Sequence, residues 1–139
     1  MNIRSFELSD TDQVVELWQA CDLVRPWNDP LLDIQRKVKV DDALFLVGEA
    51  ETGIVASVMG GYDGHRGWMY YLAVAPDCQR RGYATELVAS VEAKLLAIGC
   101  PKINLQIRSE NIAVQQFYKK LGFSIDDAVS MGKRLIPDH

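Results

Sequence analysis

The stretch Trp68-Met69-Tyr70-Tyr71-Leu72-Ala73-Val74-Ala75-Pro76-Asp77-Cys78-Gln79-Arg80-Arg81-Gly82-Tyr83-Ala84 decides how the rest of the chain is read. Its first half is rich in aromatic and branched residues, the composition of a strand. Its second half is a short polar loop with one glycine. The residues beyond Ala84 place Leu87, Val88, Val91 and Leu95 at helical spacing, with Gly99 after them as a C-terminal stop. The segment is therefore strand, loop, helix. The first-turn amides of a helix have no intrahelical acceptor, and the helix dipole adds partial positive charge there. Gly82 allows close backbone approach, Ala84 keeps the next turn small, and Arg80 and Arg81 add fixed charge. Together these features describe a cradle for a phosphate group. A tight solvated turn carrying two surface arginines accounts for the same residues. The three-glycine spacing of a dinucleotide fingerprint and the Gly-Lys-Ser/Thr of a nucleotide-triphosphate loop are both absent.

Upstream, Asn2–Phe6 alternates as a short strand, and Ser9-Asp10-Thr11-Asp12 resembles an acidic capping box before a helix bearing Val14, Leu17, Trp18 and Cys21. Asp29-Pro30 reads as an N-cap followed by proline at the first helical position, with Leu31, Ile34 and Val38 at helical spacing. The period then shortens. Ala43–Glu49 and Ile54–Gly60 read as strands joined by Glu51-Thr52-Gly53, and a second turn spans Tyr62–Gly67. Downstream, Ile103–Ile107 alternates as a strand. A helix from about Ile112 carries Val114, Phe117 and Leu121 and ends at Gly122, and one or two strands are expected over 123–135. The order β-α-α-β-β-β-α-β-α-β predicts one α/β domain over 1–139 with a mixed sheet.

Two motifs carry a family resemblance. Gln79-x-x-Gly82-x-Ala84, following Tyr70–Pro76, resembles the acetyl-CoA motif of the GNAT superfamily of N-acetyltransferases. A second motif, formed by Asn111, Ala113, Phe117-Tyr118 and Gly122-Phe123, agrees with it in order and spacing. The segments Arg25–Pro30 and Gly60–Gly67 look like the YpeA-like subgroup. The resemblance implies a central sheet of about six to seven strands flanked by about four helices (α+β in some schemes). It also implies acetyl transfer from acetyl-CoA to a primary amine by direct attack in a ternary complex.

Position by position, Leu72, Ala73 and Val74 match the strand whose backbone pairs with the pantetheine arm. Gln79, Arg80, Arg81, Gly82, Tyr83, Ala84 and Thr85 match the pyrophosphate loop, and Asn111 a pantetheine contact. Tyr118 matches the tyrosine that protonates the leaving thiolate, a role suited to a phenol that is neutral at pH 7. A strand amide near Val74 is placed to stabilise charge on the carbonyl oxygen. A core tyrosine beside Phe117 is the plain alternative for Tyr118.

The family often takes its general base from a glutamate on the cofactor strand or its neighbour, and Trp68-Met69-Tyr70-Tyr71 offers no carboxylate. Glu49, Asp63 and His65 are the candidates, against a solvated strand end for Glu49, a turn-former for Asp63, and a water chain to bulk. Trp27, Asn28 and Asp29 offer an aromatic wall, an amide and a carboxylate for a cationic acceptor. Equally, Asp29 caps a helix and Trp27 packs beside it.

Bulk composition bounds the partners. A net charge of −4 with a sequence pI near 5.1 argues against a nucleic-acid surface. No apolar run approaches the roughly 20 residues of a membrane helix. Three scattered cysteines and two histidines form neither a disulfide framework nor a metal-ligand cluster, so no metal is expected and a cytoplasmic setting is. The partners expected are acetyl-CoA and an amine acceptor, small molecule or protein, and a homodimer is compatible with the sequence. Three activities remain open at this level: small-amine acetylation, acetylation of a protein lysine or N-terminus, and acyl-CoA binding without turnover.

Overall fold

The computed structural model describes all residues, 1–139. The chain forms two compact units, one made of Met1–Leu105 with Asp138–His139 and the other of Gln106–Pro137. No helix is long and apolar enough to cross a membrane.

The larger unit is a five-stranded sheet in sequence order, β1 (Asn2–Ser5), β2 (Phe45–Ala50), β3 (Gly53–Tyr62), β4 (Gly67–Val74) and β5 (Ile103–Asn104). The first four strands are antiparallel neighbours, and β5 joins β4 in parallel after a helical crossover. Helices α1 (Thr11–Ala20), α2 (Pro30–Val40) and α3 (Tyr83–Ala97) complete the unit. Alternation along the strands sorts the core into two layers. Phe45, Val47, Met59 and Ala73 meet Val14, Leu17 and Trp18 of α1 and Ile34 of α2. Leu46 and Val58, opposite one another in register, lie on the other face, where α3 brings Leu87, Val88, Val91 and Leu95. Gly67 opens β4 because a Cβ there would lie 2.8 Å from the Cys100 sulfur and 3.0 Å from a Leu95 methyl.

Helix starts follow local chemistry. The Asp29 carboxylate accepts from the Leu31 amide at 2.9 Å, with Pro30 in the first turn, as the sequence predicts. At α1 the cap differs from expectation. A single 3₁₀ turn, Leu8–Asp10, precedes the helix, and the nearly buried Asp10 carboxylate turns back to the Glu7 amide at 2.9 Å. The guanidinium of Arg4 explains the reversal, since it grips both Asp10 oxygens at 2.8 and 2.9 Å.

The smaller unit contains α4 (Ile112–Lys120), capped by Asn111, whose side-chain oxygen accepts from the Val114 amide at 3.3 Å. The expected strands over 123–135 do not form, and β5 stops after two residues rather than running to Ile107, so the sheet has five strands and not six or seven. Alternation becomes a strand only where a partner ladder satisfies the backbone. Here the apolar pattern is broken by Asp126-Asp127, Gly132 and Lys133-Arg134, and Ile125, Val129, Met131 and Leu135 remain exposed.

The Arg4 hydrogen bond holds the Asp10 carboxyl below its usual range, against the opposing effect of burial. A depressed folded-state value means that the stabilisation is complete at neutral pH and is lost as pH falls below the ordinary carboxylate value of about 4. Asp10→Asn should therefore cost about 2 kcal/mol at pH 7 and flatten the acid dependence of stability below about pH 5. Denaturant melts at both pH values read this directly, and equal stability of the two proteins at pH 7 would contradict the assignment.

Candidate active site

The sheet is open where the sequence placed its decisive strand. β4 meets β5 only at Gly67↔Ile103 and Trp68↔Asn104, leaving Met69–Val74 with no β5 partner. On its other side β4 stays paired with β3, but the register shifts between Ser57 and Met59. Tyr71 and Leu72 share that interval, and Tyr71 takes φ +54°, a left-handed conformation rare for an aromatic residue. This is a β-bulge, which bends the strand and re-aims its side chains.

Three side chains hold the bulge. The Tyr71 ring stacks on Trp18, with centroids 3.8 Å apart and planes 10° from parallel. The Trp18 indole donates to the Ser57 hydroxyl at 2.9 Å, and that hydroxyl donates to the Tyr71 carbonyl at 3.0 Å. The Tyr71 hydroxyl donates to Asp33 Oδ2 of α2 at 2.6 Å. Ser57 is fully buried, so its hydroxyl depends on these partners. The Tyr71 phenol is pushed up by burial first and by the Asp33 hydrogen bond second.

Beyond the bulge the ladder alternates regularly. Ala75 donates to the Val55 carbonyl at 2.8 Å, so Ala73 faces β3 and the amides of Leu72 and Val74 face the open edge. The Val74 carbonyl accepts from the Cys21 thiol and from the Gln79 side-chain amide, both at 3.2 Å. Gln79, first residue of the phosphate motif, thus ties the loop to the end of β4.

The loop then builds a turn whose geometry suits an anion. After a 3₁₀ turn, Pro76–Cys78, the backbone takes φ +66° at Arg80 and φ +79° at Gly82, where α3 begins. The first intrahelical bond runs from the Glu86 amide to the Gly82 carbonyl. The amides of Tyr83, Ala84 and Thr85 precede it and have no intrahelical acceptor, and no side chain caps them. Nothing lies within 4 Å of the place a Gly82 Cβ would take. Arg80 and Arg81 are exposed, the latter reaching the Asp77 carbonyl at 3.5 Å. Free amides, a helix dipole, two guanidinium groups and open space fit a diphosphate. The Cys78 thiol is raised by desolvation and by Asp77, so it is held as a neutral thiol and not as an activated thiolate.

The remaining sequence candidates lie elsewhere. Glu49, on β2 opposite Asn2, pairs with Arg4 at 3.3 Å. Asp63 accepts from the amides of His65 and Arg66 at 2.8 and 2.7 Å, which also lower its carboxyl, and it shapes the turn at the far end of β4 from the bulge. Asp29 caps α2, and its amide donates to Asp138 at 2.7 Å. Trp27 is half exposed just before that cap. In the smaller unit Asn111 caps α4, and Tyr118 is 8% exposed with its ring edge-on to Phe117 and Phe123 at 5.1 and 5.4 Å. Burial alone pushes the Tyr118 phenol up to about 12.

Tyr71, Asp33, Ser57 and Asp138 were not among the candidates. Tyr71 sits in a run that reads as ordinary strand. Asp33 reads as the polar face of an amphipathic helix. One signal was present: the adjacent pair Tyr70-Tyr71 breaks the period-two pattern where the bulge falls.

Comparison with known proteins agrees with this architecture. The model of the acetyltransferase (GNAT) family matches residues 11–123. An acetyltransferase of Yersinia enterocolitica is 54% identical over 138 residues, spanning 99% of this chain and 98% of that protein. An acetyltransferase of Pectobacterium atrosepticum is 54% identical with the same coverage. Among solved structures, glucosamine-6-phosphate N-acetyltransferase from Arabidopsis thaliana has the same fold, with TM-score 0.71, 23% identity, and coverage of 97% of this chain and 98% of that one. AAC(6')-Iy, in complex with the bisubstrate analog CoA-S-monomethyl-acetylneamine, superposes with TM-score 0.76 at 18% identity, covering 97% of this chain and 98% of that one. With a family model spanning most of its length and whole-length relatives at 54% identity, the chain belongs to the acetyltransferase (GNAT) family.

Proposed function

We propose that this acetyltransferase takes its acetyl group from acetyl-CoA and delivers it to a primary amine within a ternary complex. The observation that carries the reading is the unpaired edge of β4 running into an uncapped helix N-terminus. An extended amide-bearing arm would add to the strand edge at Leu72–Val74, and its diphosphate would meet the amides and arginines of Gln79–Thr85. The thioester supplies an activated acetyl group. The protein's part is to bind, orient and move protons.

In this reading the Val74 amide, turned away from β3, donates to the oxygen that gains charge during transfer. Tyr118 holds the proton that the departing sulfur requires. The support is its place in the second family motif and its burial, which keeps the phenol neutral across the physiological range. Asn111 enters the reading by the same motif, and its side-chain oxygen caps α4.

Two experiments test the assignment. Gly82→Val places a branched side chain where the anion would lie and forces φ +79° on a residue that avoids it, so acetyl-CoA affinity should fall at least about tenfold with the fold intact. Calorimetric titration of the folded variant checks this, and unchanged affinity would remove the diphosphate from the loop. Tyr118→Phe should lower kcat about 10²-fold and leave acetyl-CoA affinity within about twofold. Because the phenol is raised to about 12, its proton is lost only as pH rises through that value. The wild-type kcat profile should therefore show no alkaline decline between about pH 7 and about pH 10. A decline centred near the ordinary phenol value of about 10 would assign the proton to another group.

A further inference from the structure

An acceptor amine reaches the enzyme as an ammonium ion, with an ordinary pKa of about 10.4, and must shed a proton before its lone pair can attack. β4 carries no carboxylate for this purpose. The structure brings one to it from α2. The Tyr71 hydroxyl, at the bulge where the sheet opens, donates a 2.6 Å hydrogen bond to Asp33 Oδ2. We propose that Tyr71 and Asp33 form the proton relay for the acceptor amine, with Tyr71 touching the ammonium group and Asp33 receiving the proton through it. The proposal rests on the acyl-transfer reading above and supplies the step which that reading leaves without a residue.

The geometry suits a relay. A phenol oxygen that donates its one proton keeps lone pairs for a second partner. The ring cannot swing away, because Trp18 covers one face and Ser57 holds the Tyr71 carbonyl. Asp33 retains a path to water, since its side chain is 23% exposed. In the step, the ammonium N–H proton passes to Tyr71 Oη as the Tyr71 proton passes to Asp33 Oδ2. The products are a neutral amine with its lone pair, a regenerated phenol and a protonated Asp33, which returns the proton to solvent. The raised Tyr71 phenol fits this role, because a group so reluctant to remain ionised conducts a proton without storing charge.

The charges facing the pair are few. On α2, Arg36 lies 3.5 Å from Asp33 Oδ1 and 2.8 Å from Asp138 Oδ1, so Asp138 draws most of that guanidinium's hydrogen bonding. The Asp138 side chain is buried and also accepts from the Asp29 amide, and its negative charge adds to that of Asp33 in holding the phenol proton. From α1 the facing group is the neutral indole of Trp18. Asp33 and Asp138 both place negative charge beside the phenol, which favours an approaching ammonium ion.

The test compares wild type, Asp33→Asn and Tyr71→Phe by thiol release from acetyl-CoA with a panel of primary amines, from about pH 6 to about pH 10, alongside melting temperature and acetyl-CoA affinity. Tyr71→Phe keeps the ring that stacks on Trp18, so it carries the test even if Asp33→Asn folds poorly. Each variant should lose about 10²-fold in kcat near pH 7 and keep acetyl-CoA affinity within about twofold. The loss should shrink toward about pH 10, where the acceptor begins to lose its proton unaided. A tie that is only structural would lower the melting temperature and leave the shape of the pH profile unchanged. Wild-type turnover with that unchanged shape in both variants overturns the relay alone. Acetyl-CoA binding with no thiol release from any amine overturns the relay together with the acyl-transfer reading.

Discussion

The bulge at Tyr71 is the constraint on which the rest of the molecule depends. A non-glycine residue at φ +54° costs about 1–3 kcal/mol, so it persists only where its surroundings over-determine it. Here they do. The stack on Trp18 contributes about 0.5–1.5 kcal/mol beyond burial. The Ser57 and Asp33 hydrogen bonds add about 1 kcal/mol each, the latter more because its acceptor is charged. The sum is enough to hold the strain. β4 has already parted from the two-residue β5 at Trp68, and beyond the bulge the Leu72 and Val74 amides face the open edge. The same network joins α1, α2, β3 and β4, so the strained point is also where the larger unit's elements are cross-linked.

Under the proposed acyl transfer, the donor and acceptor halves of the site are built by different physics. The proposed donor side is backbone: strand-edge amides, a glycine turn and an uncapped helix start, beside two exposed arginines. Such a site recognises a shape and a charge, and its residues are close together in the chain. The proposed acceptor side is side-chain chemistry gathered from distant segments, with Tyr71, Asp33, Arg36 and Asp138 meeting on one face of α2. A net charge of −4 on the whole chain hides both the local basic loop and the acidic pair.

This division explains what could be read in advance. The 68–97 segment was legible because strand, loop and helix are each specified by neighbours within a few residues. So was the Asp29-Pro30 helix start, whose cap and proline act locally. The bulge was not, since it requires Trp18 and Ser57, which lie 53 and 14 positions before Tyr71 in the numbering. Asp33 was missed for the same reason: on its own helix it is one more polar residue. The strands expected over 123–135 show the converse failure. Residues with alternating character do not form a ladder unless a second segment lies alongside to complete the hydrogen bonds.

The most direct measurement of the central claim is amide hydrogen exchange, residue by residue, with and without acetyl-CoA. The account predicts slower exchange on binding at Leu72 and Val74, which face the open edge of β4, and at Tyr83, Ala84 and Thr85 at the start of α3, with little change in β1 and β2. Saturating acetyl-CoA that leaves those five amides exchanging at their free rates would contradict it.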